Sequence, residues 1–493
     1  MSKLHSILLK NLHYIVMRKI IPILTFVLLF ASTSLFAQKS GYNIKVKLQN
    51  SQDTSLLLVS YYGNTNQIKD TAYLHNGSYD FKGKEALKGG IYLVVFQNKQ
   101  YFEMIVDKEQ HFSMETDPTD PVNKMKVKNS KDNDAFYEYM LAINKLGRKD
   151  KKLNDEYKEA DGDKTKQDKL KEEIKLVNED VKSLKLNFID NHQGSLFAKV
   201  LLASKEPEVP KVLPKKEDGS DDSTYIYRYF KEHFFDGFDF ADERLLRTPI
   251  YASKIKRYFT KILVQRPDTL IKESIGIIEK AKPNKETYKY CIWYFTYVSE
   301  TSQIMGMDEV FVALGKKYYL TGEAYWVNDK VLNRMTKRIN TLDKLLIGKK
   351  APNMIMQDTL LNLRGLHDVI ADYTIVIFWD PDCGHCKHEI HALEPWFKEN
   401  GEKYNVKIYG VCTDTNMVKW KAKIKEYKIQ DWINVDGPRS LTPNYHDLYD
   451  IISTPTIYLL DKDKNILAKR LSWNQTTEFI KREYEKGLKK EEE

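Results

Sequence analysis

One stretch limits what this chain can fold into more than any other. An apolar, β-rich run from Tyr373 to Trp379 is followed by Asp380-Pro381-Asp382, then by Cys383 and Cys386 in a C-x-x-C spacing. Apolar positions recur at Cys386, Ile390, Leu393 and Phe397, the spacing of one helix face. A strand therefore runs through a turn directly into an amphipathic helix. The first thiol is expected at the helix N-terminus, where unpaired N–H groups and the macrodipole favour an anion and lower a thiol pKa. The second thiol falls about a turn further in, on the apolar face, where burial opposes ionisation. One sulfur should be open and nucleophilic and its partner shielded.

These residues resemble the active site of the thioredoxin superfamily. Gly384-His385 between the cysteines matches the dipeptide of protein disulfide isomerases. Glu389 matches the C-x-x-C-x-x-E pattern of the cell-envelope thiol–disulfide oxidoreductases of the TlpA/ResA type. A second motif agrees, because Ser453-Thr454-Pro455-Thr456 precedes a strand-like run where that family carries its cis-proline. Two motifs in the right order are far more specific than a lone C-x-x-C. The likeness runs from about Gly348 to Lys490. It implies an α/β thioredoxin-like domain with Cys383 as nucleophile, Cys386 as resolving thiol and Glu389 as a proton-transfer group. It also implies a substrate-binding surface built from Trp379, Thr454 and Pro455, with the Thr454-Pro455 pair packed against the disulfide. No cofactor is expected beyond the redox-active Cys383–Cys386 disulfide.

The sequence departs from cytoplasmic thioredoxins in two places. Ile377 stands where those proteins carry a buried Asp, and Asp382 replaces the tryptophan before the first cysteine. Base function then falls to Glu389, while Asp380 and Asp382 oppose a thiolate. His385 favours one and makes the disulfide more oxidising. Isomerase-like sites lie at about −180 mV and thioredoxin at about −270 mV, so an intermediate potential is expected. Plainer readings stand beside these: His385 as a solvated loop histidine and Glu389 as a surface carboxylate. His385, His388 and His391 recur every third residue beside two cysteines, a pattern that also admits zinc or copper. There is no second C-x-x-C, and no metal is expected. Covalent haem would need a histidine at 387, which is Lys387.

At 493 residues the chain should hold several domains, and 42% hydrophobic content suffices for ordinary cores. The net charge of +9 owes much to Lys3, Lys10, Arg18 and Lys19, which lie in an N-terminal segment without acids. Elsewhere lysines and acids alternate, which reads as solvated surface and not as a nucleic-acid partner site. Residues 1–37 read as a secretory signal, with Arg18-Lys19, an apolar run from Ile20 to Phe30, and Ser34-Leu35-Phe36-Ala37 before Gln38. The apolar run is short for a membrane span of about twenty residues. A membrane is touched only if this segment stays uncleaved. Export would place the protein in the periplasm or cell envelope, where disulfide chemistry is at home. Cys291, among aromatics, and Cys412, at the end of a strand pattern, read as buried thiols; a disulfide between them is left open.

Residues 38–128 read as a β domain, sandwich-like or a small barrel. Ile44, Val46 and Leu48 alternate with lysines, Leu56 to Val59 form a buried-strand run, and Asn76-Gly77 and Gly89-Gly90 supply turns. Residues 129–347 read as all-α. Two long amphipathic patterns flank Ala160-Asp161-Gly162-Asp163 as an αα-hairpin, and a polar, Pro-rich break spans Lys205 to Thr224. His233 to Pro249 is rich in Phe, Asp and Arg; it fits either a ligand groove or interhelical core with acid–Arg pairs at its rim. Residues 348–493 carry the β and α patterns of the thioredoxin-like domain, with Pro395 kinking or stopping the helix that follows Cys386. The expected activity is thiol–disulfide exchange in the envelope. It would reduce or rearrange disulfides of client proteins and draw on an envelope electron donor or acceptor. The alternative is a binding or scaffold protein whose thioredoxin-like domain senses redox state or serves structure.

Overall fold

The computed structural model describes residues 41–492. The signal segment expected at 1–37 lies outside the described residues. The chain forms two compact units, divided between Ile255 and Lys256 inside the helical stretch. Among the described residues no helix is long and apolar enough to cross a membrane.

The first unit begins with β1 (Tyr42–Leu48), β2 (Ser55–Tyr62), β3 (Thr65–His75), β4 (Ser78–Gly83), β5 (Gly90–Val95), β6 (Tyr101–Val106), β7 (His111–Thr116) and β8 (Lys126–Lys128). They hydrogen-bond in the order β6-β5-β2-β3-β4-β1-β7-β8, antiparallel except for the β1–β7 pair. Ile44 and Val46 are buried and the lysines between them exposed, as a period of two dictates. Asn76 and Gly77 both have positive φ and close a two-residue hairpin pairing His75 with Ser78. Gly89-Gly90 is not a turn. Gly90 opens β5, and a Cβ on either glycine would meet Arg244 or Arg247 within 2.8 Å. The pair is glycine because another segment lies against it: the Ile91 N–H donates to the Arg247 carbonyl at 2.9 Å.

The long hairpin follows, α1 (Lys131–Glu159) and α2 (Lys164–Asn191), with Leu146, Leu153 and Tyr157 packed on Leu170, Ile174 and Val177. Asn133, wholly buried in the first turn of α1, exchanges two hydrogen bonds of 2.8 Å with the backbone of Ile105. It caps the edge strand β6 as a neighbouring strand would. After α3 (Leu196–Ala203) an irregular stretch leads to α4 (Tyr225–His233), α5 (Glu243–Leu246) and α6 (Pro249–Arg257). Phe234, Phe238, Phe240 and Tyr251 are buried together. Asp242 is bonded by Arg244 and Lys199 at 2.6 Å, and Arg244 reaches Asp107 at 2.7 Å. Of the two readings of this motif, the structure gives the packed core with acid–Arg pairs.

The second unit starts with α7 (Pro267–Ala281), α8 (Lys285–Glu300), α9 (Met307–Leu314) and α10 (Asp329–Asp343). Its sheet contains β9 (Ile355–Asp358), β10 (Leu363–Gly365), β11 (Tyr373–Trp379), β12 (Val406–Cys412), β13 (Ile433–Ser440), β14 (Thr456–Leu460) and β15 (Ile466–Lys469), in the order β10-β9-β13-β12-β11-β14-β15. The central strands β11, β12 and β13 are parallel. Helices α11 (Gly384–Asn400), α12 (Met417–Glu426), α13 (Tyr445–Tyr449) and α14 (Trp473–Glu492) complete it. Strand β11 is buried on both faces, which is why its sequence is apolar without alternation. Ile375, Ile377 and Trp379 pack with Cys386, Ile390 and Leu393 of α11, whereas Val376 and Phe378 pack with Tyr445 and Tyr449 of α13. Pro395 does not stop α11, which continues to Asn400. The ring costs the helix one backbone bond, and the buried face on either side keeps the axis going.

The helices of this unit are tied to its sheet by charge. The Lys469 ammonium, buried on β15, bonds Asp308 and the Leu345 carbonyl. Arg338 of α10 pairs with Glu300 at 2.5 Å and with Asp450 at 2.6 Å.

Candidate active site

Strand β11 delivers the chain to the C-terminal edge of the parallel sheet, where α/β folds place their sites. The Asp380 carboxylate accepts from the Asp382 N–H at 2.8 Å and the Asp380 carbonyl from the Cys383 N–H at 3.1 Å. That tight turn makes Cys383 the N-cap of α11. Its sulfur takes the place of a capping oxygen and accepts from the Cys386 N–H at 3.2 Å. On its other side the Cys383 Sγ lies 3.4 Å from the Thr454 carbonyl. The Thr454–Pro455 peptide bond is cis.

The two thiols differ in surroundings. Cys383 is half-buried, and Cys386 is wholly buried against Ile390 and Leu393. Partial burial pushes the Cys383 thiol up, but hydrogen bonds from the Cys386 thiol and N–H, from the Thr454 side chain and from the His385 N–H outweigh it, so it sits below an ordinary thiol. Burial drives Cys386 in the opposite direction, with the neighbouring Cys383 adding to the rise.

The charges around the loop are also arranged. Asp382 is not left to oppose the thiolate: Lys419 of α12 pairs with it at 2.5 Å and with Asp414 at 2.7 Å. These carboxylates hold the Lys419 ammonium well above its usual range. His385 is exposed. Glu389 is largely shielded, and its Oε2 accepts from the Trp473 N–H at 2.6 Å, which fixes the start of α14. Its Oε1 lies 3.8 Å from His388 Nδ1. Trp379 was expected on the substrate surface, but it is fully buried under the loop and presents nothing to a substrate. Alternation explains this, because Trp379 shares the α11-facing side of β11 with Ile375 and Ile377.

A groove of about 530 Å³ adjoins the Cys383 loop; its lining includes His385, Glu389, Thr454, Pro455, Arg470 and Gln303, and Cys383 reaches it through Thr454. A larger cleft of about 700 Å³ lies at the β9–β10 hairpin and includes no residue of the Cys383 loop. Among the described residues no group of three or more His, Cys, Asp or Glu side chains is placed to hold a metal ion. His391 turns instead toward Tyr427, ring centroids 5.2 Å apart. Cys291 and Cys412 are both buried thiols, and burial pushes Cys412 up to about 12. Sequence reasoning had no hold on Lys419 or Gln303. Both are ordinary polar residues that only the tertiary fold brings to the loop.

Residues 347–469 match the model of the AhpC/TSA family. Residues 158–344 and 42–136 match two domains of unknown function, DUF5106 and DUF4369. The chain is 28% identical over 149 residues to the thiol-disulfide oxidoreductase ResA of Bacillus thuringiensis subsp. konkukian, covering 30% of this chain and 80% of the relative. The ResA of Bacillus anthracis is 26% identical over 141 residues, 28% of this chain and 76% of the relative. Among solved structures, a domain of a possible thiol-disulfide isomerase from Cytophaga hutchinsonii is 41% identical, covering 29% of this chain and 97% of that one, with a TM-score of 0.27. A thioredoxin-like protein from Bacteroides caccae is 19% identical, covering 56% of this chain and 97% of that one, with a TM-score of 0.42.

Proposed function

We propose, from a C-terminal domain that is thioredoxin-like and of the thiol–disulfide oxidoreductase kind, that this chain is an exported enzyme reducing or rearranging disulfides of client proteins. One observation carries the reading: two thiols on adjacent turns, one capping a helix beside an open groove and the other sealed in the core.

The chemistry follows from that asymmetry. The Cys383 thiolate attacks one sulfur of a client disulfide, and the other client sulfur leaves as a thiolate and takes up a proton. The product is a mixed disulfide between Cys383 and the client. Cys386 then loses its proton and attacks the Cys383 sulfur, releasing the second client thiol. The client has gained two electrons, and the Cys383–Cys386 disulfide has formed. An envelope dithiol donor must return the electrons before the next turnover. No cofactor enters the cycle. Glu389 is the carboxylate nearest in sequence to serve the Cys386 proton. Thr454 offers its backbone to an extended client beside the attacking sulfur, as peptide-binding edges do. Export rests on the charged-then-apolar segment before Gln38.

The test is insulin reduction by the purified full chain, with dithiothreitol as donor. Turnover that disappears in Cys383→Ser is the expected result. No turnover by a chain whose Cys383 and Cys386 titrate as free thiols would sink this reading in favour of a scaffold.

A further inference from the structure

The groove beside Cys383 is not built by the thioredoxin-like domain alone. Gln303 lines it together with His385, Thr454 and Pro455, yet Gln303 belongs to the turn between α8 and α9. That turn falls within the stretch matched by a domain of unknown function. The Gln303 side chain is exposed, and its amide makes a long, 3.5 Å bond to the Thr301 carbonyl. Ile304 and Met305, on the same turn, are exposed apolar residues.

A single guanidinium links the two segments that contribute these residues. Arg338 pairs with Glu300, the last residue of α8, and with Asp450, just ahead of the Thr454–Pro455 segment. Asp450 in turn pairs with Arg470 at 2.7 Å, and Arg470 also lines the groove. The ion pairs tie together the segments that bring the exposed Gln303 amide and Thr454 to the lining of the same groove. A primary amide offers both a donor and an acceptor, the complement of a peptide group.

We propose that the turn at residues 301–306 is the substrate-selecting wall of the dithiol groove. Gln303 hydrogen-bonds the backbone of an extended, cysteine-bearing client segment, and Arg338 is the positioning residue that holds the wall in place. The proposal rests on the oxidoreductase reading above and gives a role to part of the helical region. Selection is for polypeptide over small disulfides, because a small molecule reaches Cys383 without spanning the groove.

The experiment follows oxidation of the reduced full chain by two probes, a flexible disulfide-linked peptide dimer and bis(2-hydroxyethyl) disulfide. Gln303→Ala should lower the second-order rate constant for the peptide about fivefold, the size of one neutral hydrogen bond, and leave the small disulfide within about twofold. Arg338→Met should give the same split. A Gln303→Ala chain that keeps its peptide rate, or that slows equally with both probes, overturns the wall. A wild-type chain that reacts with neither probe sinks the oxidoreductase reading itself and takes the wall with it, a distinct and recognisable outcome.

Discussion

The aromatic, charged segment from Phe234 to Tyr251 and the redox loop from Trp379 to Glu389 contain similar ingredients, and the fold treats them in opposite ways. In the first, Phe234, Phe238 and Phe240 are buried, and Asp242, Arg244, Lys199 and Asp107 satisfy one another. In the second, the aromatic and apolar residues are buried just as well, but one sulfur stays partly exposed in a loop that adjoins a groove, and the neighbouring Asp382 is paired with Lys419. A dense group of chemically capable side chains is therefore not by itself a site. What separates the two is an incomplete shell: the polar groups of the first segment are paired, and the loop leaves one thiol partly exposed.

The largest expected effect breaks the loop at that thiol, the proposed nucleophile. Cys383→Ser should lower insulin reduction by about a thousandfold or more, since a hydroxyl near neutral pH is almost never ionised. Cys386→Ala should retain attack and lose release, so covalent client adducts accumulate that dithiothreitol dissolves. Non-reducing gels of extracts read both. Equal adduct yields from Cys383→Ala and Cys386→Ala would overturn the assignment of nucleophile and resolver.

The packed segment should fail differently. Burial raises the Asp242 carboxyl, but bonds from Arg244 and Lys199 outweigh that and hold it at about 2. Asp242→Ala leaves those cations without their shared partner and should cost about 2–4 kcal/mol, read from urea unfolding followed by proteolysis of the first unit. The sign with pH follows from a depressed folded value. The stabilisation is present above the unfolded value of about 4 and lost as pH falls toward about 2, so the variant's acid limb should be flatter than wild type's. Insulin reduction should be unchanged. A variant that loses activity without losing stability would make this segment a functional site.

How much of this was legible in the sequence depends on the range of the contacts involved. The αα-hairpin, the strand-turn-helix around the thiols and the burial of Cys386 follow from local periodicity. The Asn76-Gly77 hairpin follows from backbone sterics. Gly89-Gly90 was misleading, because a glycine pair serves close approach as readily as a turn and only the position of Arg244 and Arg247 distinguishes them. Pro395 does not stop its helix, because a helix with a buried face tolerates one missing bond. Trp379 was misassigned because an indole beside a redox loop reads as surface until the register of β11 is known. The bond from Trp473 to Glu389 and the pair of Lys419 with Asp382 join residues far apart in sequence, and nothing local announces either.

A smaller effect sharpens the picture of the loop. His385 lies two residues from Cys383 and is exposed, so its influence on the thiolate is electrostatic and local. His385→Pro should make the couple more reducing by about 30 mV, which is about 1.4 kcal/mol for two electrons. A glutathione titration measures it, and equal potentials for the two proteins would make His385 a bystander.

The smallest effect tests whether the charge arrangement around the open sulfur matters at all. Lys419 pairs with Asp382 and Asp414, and Asp382 sits beside Cys383 in the chain. Lys419→Gln keeps the side-chain length roughly and removes the cation, leaving two carboxylates uncompensated near the sulfur. A nearby negative charge disfavours a thiolate, so the inflection of Cys383 alkylation with pH should move upward. Asp382 is mostly exposed, solvent and salt screen it, and the displacement should be only a few tenths of a pH unit. The rate at one pH is a poor readout. A more basic thiolate is intrinsically more nucleophilic, with a Brønsted coefficient of about 0.4–0.5, and this offsets about half of the loss in thiolate fraction. The position of the inflection is free of that compensation. It should shift back toward the wild-type value in the double variant Asp382→Asn, Lys419→Gln, because the carboxylate nearest the sulfur is then gone as well. An inflection that stays put in Lys419→Gln would mean that the hydrogen bonds to Cys383 alone set its acidity, and that the loop differs from the packed segment in exposure and not in charge.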